Sequence, residues 1–253
     1  MYNTSKFESK LFQLGIKLSG AQIQQFIRYY EILTEKNKVM NLTAITEFDE
    51  VIDKHFVDSL SLVKAVDLNQ DMNKELTVID VGTGAGFPGI PLKIAFPGLE
   101  IVLLDSLNKR ISFLNDVIQD LHLEGINAYH GRAEDYGRNV SFREQFDLCV
   151  SRAVANMSTL SEYCMPFVKV GGQFIPYKSG SISEELKQAQ KAVKLLGGCL
   201  DHTETYILPD TDIERTLVVI NKKEKTKKTY PRKAGKPAKE PLGCSMGTSD
   251  HKN

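Results

Sequence analysis

The stretch that most constrains this chain is VIDVGTGAGFPGIPL, Val78 to Leu92. The run TVIDV reads as a short buried strand that ends at Val81. Gly82, Gly84 and Gly86 follow at every second position, and Pro88 and Pro91 arrive where a helix should begin. A strand that breaks into a glycine turn and then a helix is the opening unit of an open α/β sheet. Ligands of such sheets sit outside the carboxyl ends of the strands, near the point where strand order reverses. Glycine allows the tight turn and lets a ligand approach the backbone.

The downstream pattern extends that unit. Glu100 to Asp105, Ile126 to Gly131, Phe146 to Ser151 and Gly172 to Tyr177 are short apolar runs, and amphipathic helical stretches alternate with them. Two late strands, Tyr206 to Leu208 and Thr216 to Ile220, have no helix between them and read as an antiparallel edge hairpin. The expected fold is α/β and Rossmann-like: a mostly parallel sheet, helices on both faces, and that hairpin at one edge. Before it, the first seventy residues read as helical. Ser19 and Gln22 form a capping box, and Ile23, Phe26, Ile27, Tyr30 and Leu33 follow at helical spacing. A second helix starts after Thr46 and carries Val51, Ile52, His55 and Phe56. The expected division is a helical extension over residues 1–70 packed on the core, a ligand-binding domain over 71–221, and a basic C-terminal tail over 222–253. The polar segment LNQDMNKEL, Leu68 to Leu76, reads as a linker.

Charge separates the tail from the body. The chain of 253 residues has zero formal net charge, but Lys222 to Lys239 holds nine Lys or Arg against one Glu, so the remainder is acidic. A basic segment on an acidic body points to a polyanionic partner, or else to a solvated, disordered tail. The four cysteines are scattered and form no C-x-x-C pair, which argues against a zinc site or disulfide framework and for a reducing compartment. His55, His122, His130, His202 and His251 show no metal-ligand spacing, and His55 reads as a packed or capping residue. The N-terminus MYNTSKFESK has no apolar signal-type segment behind it, and no stretch approaches a membrane span. A cytoplasmic protein is expected, and a monomer, because no long apolar stripe remains once the core is assigned.

Asp105 ends the second strand, 23 residues beyond Gly82. A carboxylate at about that distance from the turn is placed to accept hydrogen bonds from ribose hydroxyls. An adenosine-bearing ligand fits both features. A dinucleotide would want glycine where Phe87 stands, and free N–H groups at the helix start for its pyrophosphate. Pro88 and Pro91 have none to give. S-adenosylmethionine carries no phosphate and loses nothing here, so the turn favours a methyl donor. Ala133, Glu134 and Asp135 follow the third strand, where an acid can meet the adenine amino group. Ser151, Arg152 and Ala153 follow the fourth, at the mouth where a substrate would meet the methyl group.

Chemistry that is missing narrows the acceptor. Methylation of exocyclic base amines uses an Asn/Asp-Pro-Pro-aromatic motif after the fourth strand, where this chain reads SRAVAN. Carbon-5 methylation of pyrimidines needs a thiolate nucleophile, but Cys149 and Cys164 read as buried structural thiols. No general base or nucleophile is expected. Guanine N7 carries a free lone pair and no proton, so its methylation needs only alignment and electrostatics.

Several segments together resemble a known family. NKVMNLTAIT (Asn37 to Thr46), KHFVDSLSL (Lys54 to Leu62), the glycine turn through Ile94, LLDSLNKRISFL (Leu103 to Leu114), GRAED (Gly131 to Asp135), SRAVA (Ser151 to Ala155) and TYPRKAGKPAKEPL (Thr229 to Leu242) resemble the bacterial ribosomal RNA small subunit methyltransferase G family, also called glucose-inhibited division protein B. The resemblance implies a class I S-adenosylmethionine-dependent methyltransferase that methylates N7 of one guanosine in 16S ribosomal RNA of the small subunit or its precursor. It implies donor contacts from Gly82 and Phe87, from Asp105 at the ribose, from Ala133 and Glu134 at the adenine, and from Arg152; the glycine turn itself adds Gly84 as an expected donor contact. Lys178, Arg232 and Lys233 are carried as RNA contacts. The end, GCSMGTSDHKN, matches nothing expected of the family and is left out of the fold. A nicotinamide-dependent oxidoreductase on the same sheet and a non-enzymatic RNA-binding scaffold are the competing readings.

Overall fold

A computed structural model describes residues 2–68, 76–152, 155–180 and 182–243. Most of the segment read as a linker, Ala153, and the end from residue 244 onward lie outside the described residues.

Seven strands form one sheet: β1 (Thr77–Val81), β2 (Glu100–Asp105), β3 (Ile126–His130), β4 (Phe146–Ser151), β5 (Val168–Lys178), β6 (Gly198–Ile207) and β7 (Glu214–Lys222). Their order is β3-β2-β1-β4-β5-β7-β6. The first five run parallel, whereas β7 runs antiparallel to both β5 and β6. The chain moves outward from β1 to β3 and then crosses back to β4. The switch in strand order therefore falls between β1 and β4, where the carboxyl ends leave a crevice. Alternating side chains feed two cores. Val78, Leu148, Ile175 and Leu217 face one, and Ile79, Cys149, Phe174 and Val218 face the other.

The first core also takes in the N-terminal helices, α1 (Ser5–Gln13) and α2 (Gly20–Met40). Ser19 caps α2 through the reciprocal box with Gln22. A longer helical run follows: α3 (Phe48–Val51), a π-helical segment Ile52–Val57, α4 (Asp58–Leu60) and a 3-10 turn Ser61–Lys64. Phe7, Phe26, Phe56 and Tyr29 stack in sequence at centroid spacings of 5.0–5.6 Å, and Tyr29 passes the contact on to Phe87 at 5.5 Å. The N-terminal helices are thus packed directly onto the glycine turn.

The remaining helices are α5 (Gly89–Ala95), α6 (Asn108–Asp120), α7 (Ala133–Tyr136), α8 (Met157–Cys164), α9 (Ser183–Leu195) and α10 (Lys236–Lys239). Two elements differ from the expectation. β6 begins at Gly198, eight residues before the expected Tyr206. Most of its residues are exposed at the sheet edge, so apolar alternation does not mark them. The basic segment after β7 does not project as a tail. It runs as a strap over α7 and α8, burying Thr226, Pro231 and Pro237. Among the described residues no helix is long and apolar enough to cross a membrane.

Candidate active site

A cavity of about 780 Å³ opens at the carboxyl ends of β1, β2 and β4, within the size range of ligand pockets. Its floor is the turn after β1. Gly82, Gly84 and Gly86 have φ of +74°, +64° and +100°, conformations that side-chain-bearing residues rarely adopt. The turn is stitched to its neighbours. The Gly82 N–H donates to Leu104 O at 2.8 Å, and the Ser151 hydroxyl donates to Val81 O at 2.7 Å. The buried Tyr29 hydroxyl donates to Ala85 O.

Beneath the turn lies Asp80, fully buried. One of its oxygens accepts from the Thr83 hydroxyl at 2.6 Å and the Gly89 N–H at 2.9 Å. Burial raises its carboxyl to about pH 7, against the two hydrogen bonds that lower it. The first-turn donors of α5 are thereby spent inside the protein. Gly89 gives its N–H to Asp80, Ile90 gives its N–H to Gly86 O, Leu92 gives its N–H to Pro88 O, and Pro91 has none. A pyrophosphate would find no donors there.

Asp105 closes the β2 end, with its side chain 2% exposed. It accepts from the N–H groups of Gly84 and Leu107, both at 2.9 Å, and pairs with Arg110 Nη1 at 3.1 Å. Ala133 and Glu134 start α7 on the next wall. Glu134 Oε1 accepts the N–H of Gly235, 2.8 Å away, so the strap reaches the cavity.

The opposite wall comes from the N-terminal helices. His55, in the π segment, stacks on Phe87 with centroids 4.4 Å apart and rings at 19°. Its Nε2 bonds to the Thr43 hydroxyl at 2.9 Å, and its Nδ1 faces Arg152 Nη2 at 3.1 Å. Burial, reinforced by the Arg152 charge, lowers its pKa to about 4, so the ring is neutral at physiological pH. Arg152 pairs with Asp58 at 2.9 Å and lies 5.4 Å from the Phe87 centroid. Asp58 also holds Arg215 at 3.1 Å. A smaller hollow of about 280 Å³ adjoins this wall, sharing His55 and Arg152 and adding Lys54, Tyr177, Lys178 and Arg215.

The structure therefore brings Gly82, Gly84, Phe87, Asp105, Ala133, Glu134 and Arg152 around one cavity. Two of the residues carried as RNA contacts are engaged within the protein. Arg232 is held by the wholly buried Glu162, through Nη2–Oε2 at 2.7 Å and Nε–Oε1 at 2.9 Å, and its side chain is 18% exposed. Lys178 spends its charge on Glu185 and Ala155 O, at 2.8 and 2.7 Å. Lys233 is exposed. Thr43, His55, Arg110, Tyr163 and Gly235 also line the cavity and escaped the sequence reading as wall residues. NKVMNLTAIT and KHFVDSLSL were the signals for the first two. Among the described residues no group of three His, Cys, Asp or Glu is arranged to hold a metal ion.

This sheet order, with its glycine turn, strand-end carboxylate and antiparallel edge, defines a Rossmann-like methyltransferase fold. MtNAS in complex with MTA and tNA shares that fold at 14% identity, with a TM-score of 0.52 over 77% of this chain and 71% of that one. The family model for rRNA small subunit methyltransferase G matches residues 22–213. The ribosomal RNA small subunit methyltransferase G of Lachnoclostridium phytofermentans is 55% identical over 96% of this chain and 98% of its own length. That of an Exiguobacterium species is 51% identical over 95% and 99%. The chain belongs to the rRNA small subunit methyltransferase G family, whose methyl donor is S-adenosylmethionine.

Proposed function

We propose that the chain transfers a methyl group from S-adenosylmethionine to N7 of one guanosine in 16S ribosomal RNA. The observation that carries this reading is the pairing of Asp105 with a glycine turn whose helix-start N–H groups are all consumed. Such a cavity suits an adenosine without phosphates. The donor supplies an electrophilic methyl group on a sulfonium. Gly82 and Gly84 would lie against it, Phe87 would wall it, Asp105 would take the ribose hydroxyls, and Ala133 with Glu134 would meet the adenine.

The acceptor follows from what the walls hold. His55 is neutral and has both ring nitrogens engaged. Asp105 and Glu134 are bonded on the adenosine side. Cys149 and Cys164 are buried away from the cavity. This supports a nucleophile that needs no deprotonation, as guanine N7 does. The guanine would enter by the smaller hollow, whose walls carry Lys54, Arg152, Lys178 and Arg215 around Asp58. Lys233 and the other exposed lysines of the strap would add salt-sensitive attraction for phosphates. In this reading the enzyme acts as a cytoplasmic monomer on the small subunit or its precursor; its exposed large hydrophobics are scattered, as at Phe12, Val140 and Ile207.

The test is incubation with radiolabelled S-adenosylmethionine and unmodified small subunits, naked 16S RNA or precursor particles, followed by borohydride–aniline cleavage. Enzyme-dependent scission at a single position is the expected result. Label without scission would move the chemistry to another atom. Donor binding with no label on any substrate would favour the scaffold.

A further inference from the structure

The strap is built into the cavity wall. Arg143 gathers its first half, donating to Thr226 O at 2.6 Å, Tyr230 O at 2.9 Å and Lys227 O at 3.2 Å. Thr226 is buried, its N–H on Glu144 at 2.7 Å and its hydroxyl on Leu196 O at 2.7 Å. The Arg232–Glu162 pair fixes the middle, strengthened by the Arg232 N–H on Glu162 Oε1 at 2.7 Å and by Arg232 Nη2 on Glu240 O at 2.7 Å. Three residues later Gly235, at φ +80°, turns its N–H onto Glu134 Oε1. Just beyond, Pro237 O accepts the Thr159 hydroxyl at 3.1 Å.

The strap packs Tyr230, Pro231, Pro237 and Leu242 against the body, and it also uses a wholly buried carboxylate, Glu162, to fix the backbone three residues from the cavity. Burying a charge is costly unless it is fully paired, and removing one partner of such a pair is strongly destabilising, so Glu162 and Arg232 hold each other and the strap in one place. Its consequence is local. With Oε1 of Glu134 held by the strap, the carboxylate has a set orientation and its second oxygen remains to accept another donor.

We propose that the Arg232–Glu162 clamp, acting through Gly235, positions Glu134 to recognise the exocyclic amino group of the donor's adenine. Arg232 is thus a positioning residue for donor selection. The inference rests on the donor reading given under Proposed function.

Calorimetric titration with S-adenosylhomocysteine and with S-inosylhomocysteine, its counterpart bearing an oxo group in place of the adenine amine, tests it. The wild type should prefer the adenosine ligand by roughly tenfold or more, as loss of a hydrogen bond to a charged group predicts. Arg232→Gln should weaken the adenosine ligand about tenfold and leave the inosine ligand nearly unchanged, and Arg232→Lys should restore part of the preference. If Arg232→Gln fails to fold, Gly235→Ala serves instead. Its added Cβ meets nothing within 4 Å, yet an L residue resists that φ, so the N–H is re-aimed without a clash. Equal weakening of both ligands, or an unchanged preference in a folded variant, would reduce the strap to a cover. A wild type that binds neither ligand would instead remove the donor reading itself.

Discussion

Substitutions at Asp105 and Arg110 should move donor affinity in opposite directions. An ionised carboxylate offers about four lone-pair sites. Gly84 and Leu107 take one on each oxygen of Asp105, and Arg110 Nη1 lies over the remaining face at 3.1 and 3.4 Å. Ribose hydroxyls need those same sites. The carboxylate is buried but Arg110 is 33% exposed, so water screens the pair from that side and holds it to about 1 kcal/mol. A hydroxyl bonded to a charged acceptor contributes about 1.5–3 kcal/mol. Asp105→Asn keeps an acceptor but loses the charge, and its amide group opposes one of the two backbone donors. It should weaken S-adenosylhomocysteine by about 3 kcal/mol, roughly 100-fold. Arg110→Ala should tighten it by up to about fivefold, with the gain shrinking in high salt. Isothermal calorimetry at low and high salt reads both, and thermal melts confirm folding. Unchanged affinity in a folded Asp105→Asn would remove the carboxylate from the donor site. A tenfold loss in Arg110→Ala would make the guanidinium a donor contact and refute the competition.

Neighbouring glycines should separate strain from function. Gly84→Ala meets no atom within 4 Å, so it should cost only the left-handed penalty of about 1–2 kcal/mol in stability while its methyl intrudes on donor binding. Gly86→Ala would drive a Cβ to 2.6 Å from Ile90 and 2.8 Å from the Tyr29 hydroxyl, so urea melts should show the larger loss there. Phe87→Ala removes the ring shared by His55, Tyr29 and Arg152 and should cost about 3 kcal/mol by chemical denaturation, besides weakening the donor.

The turn, Asp105 and the parallel strands were legible because each is a local pattern: an apolar run, a glycine conformation, a carboxylate at a strand end. The π segment was not. One extra residue per turn leaves composition unchanged, yet it helps set where His55 sits against Phe87. The strap misled for a different reason. Counting lysines averages over the few residues that fix its path. Thr226, Pro231, Arg232 and Pro237 are anchored at points far apart in sequence, on Leu196, Glu162 and Thr159 among others. Charge told what the strap displays to solvent, and nothing in the charge told what it grips.

His55 and Asp80 flank the glycine turn with opposed titrations, and together they should hide each other. His55 titrates near pH 4 when folded and near its ordinary 6.5 when unfolded. Its contribution to stability is present above pH 6.5 and lost as pH falls toward 4, about 3 kcal/mol in full. Asp80 titrates near 7 when folded against 3.8 unfolded. Its contribution is present below pH 3.8 and lost as pH rises through 7, about 4 kcal/mol in full. Between about pH 4 and 6.5 the two slopes have opposite sign and similar size, so these groups leave the wild type nearly flat. Asp80→Asn retains an acceptor for Thr83 and Gly89 and removes one slope, so its stability relative to wild type should rise with pH across that window. His55→Gln removes the other, so its relative stability should fall. Urea midpoints of all three proteins at pH 4.5, 5.5 and 6.5 decide the matter, because the differences cancel every other titrating group. Parallel pH profiles for the three would mean that neither the buried acid nor the buried ring carries the shifted proton that its surroundings require.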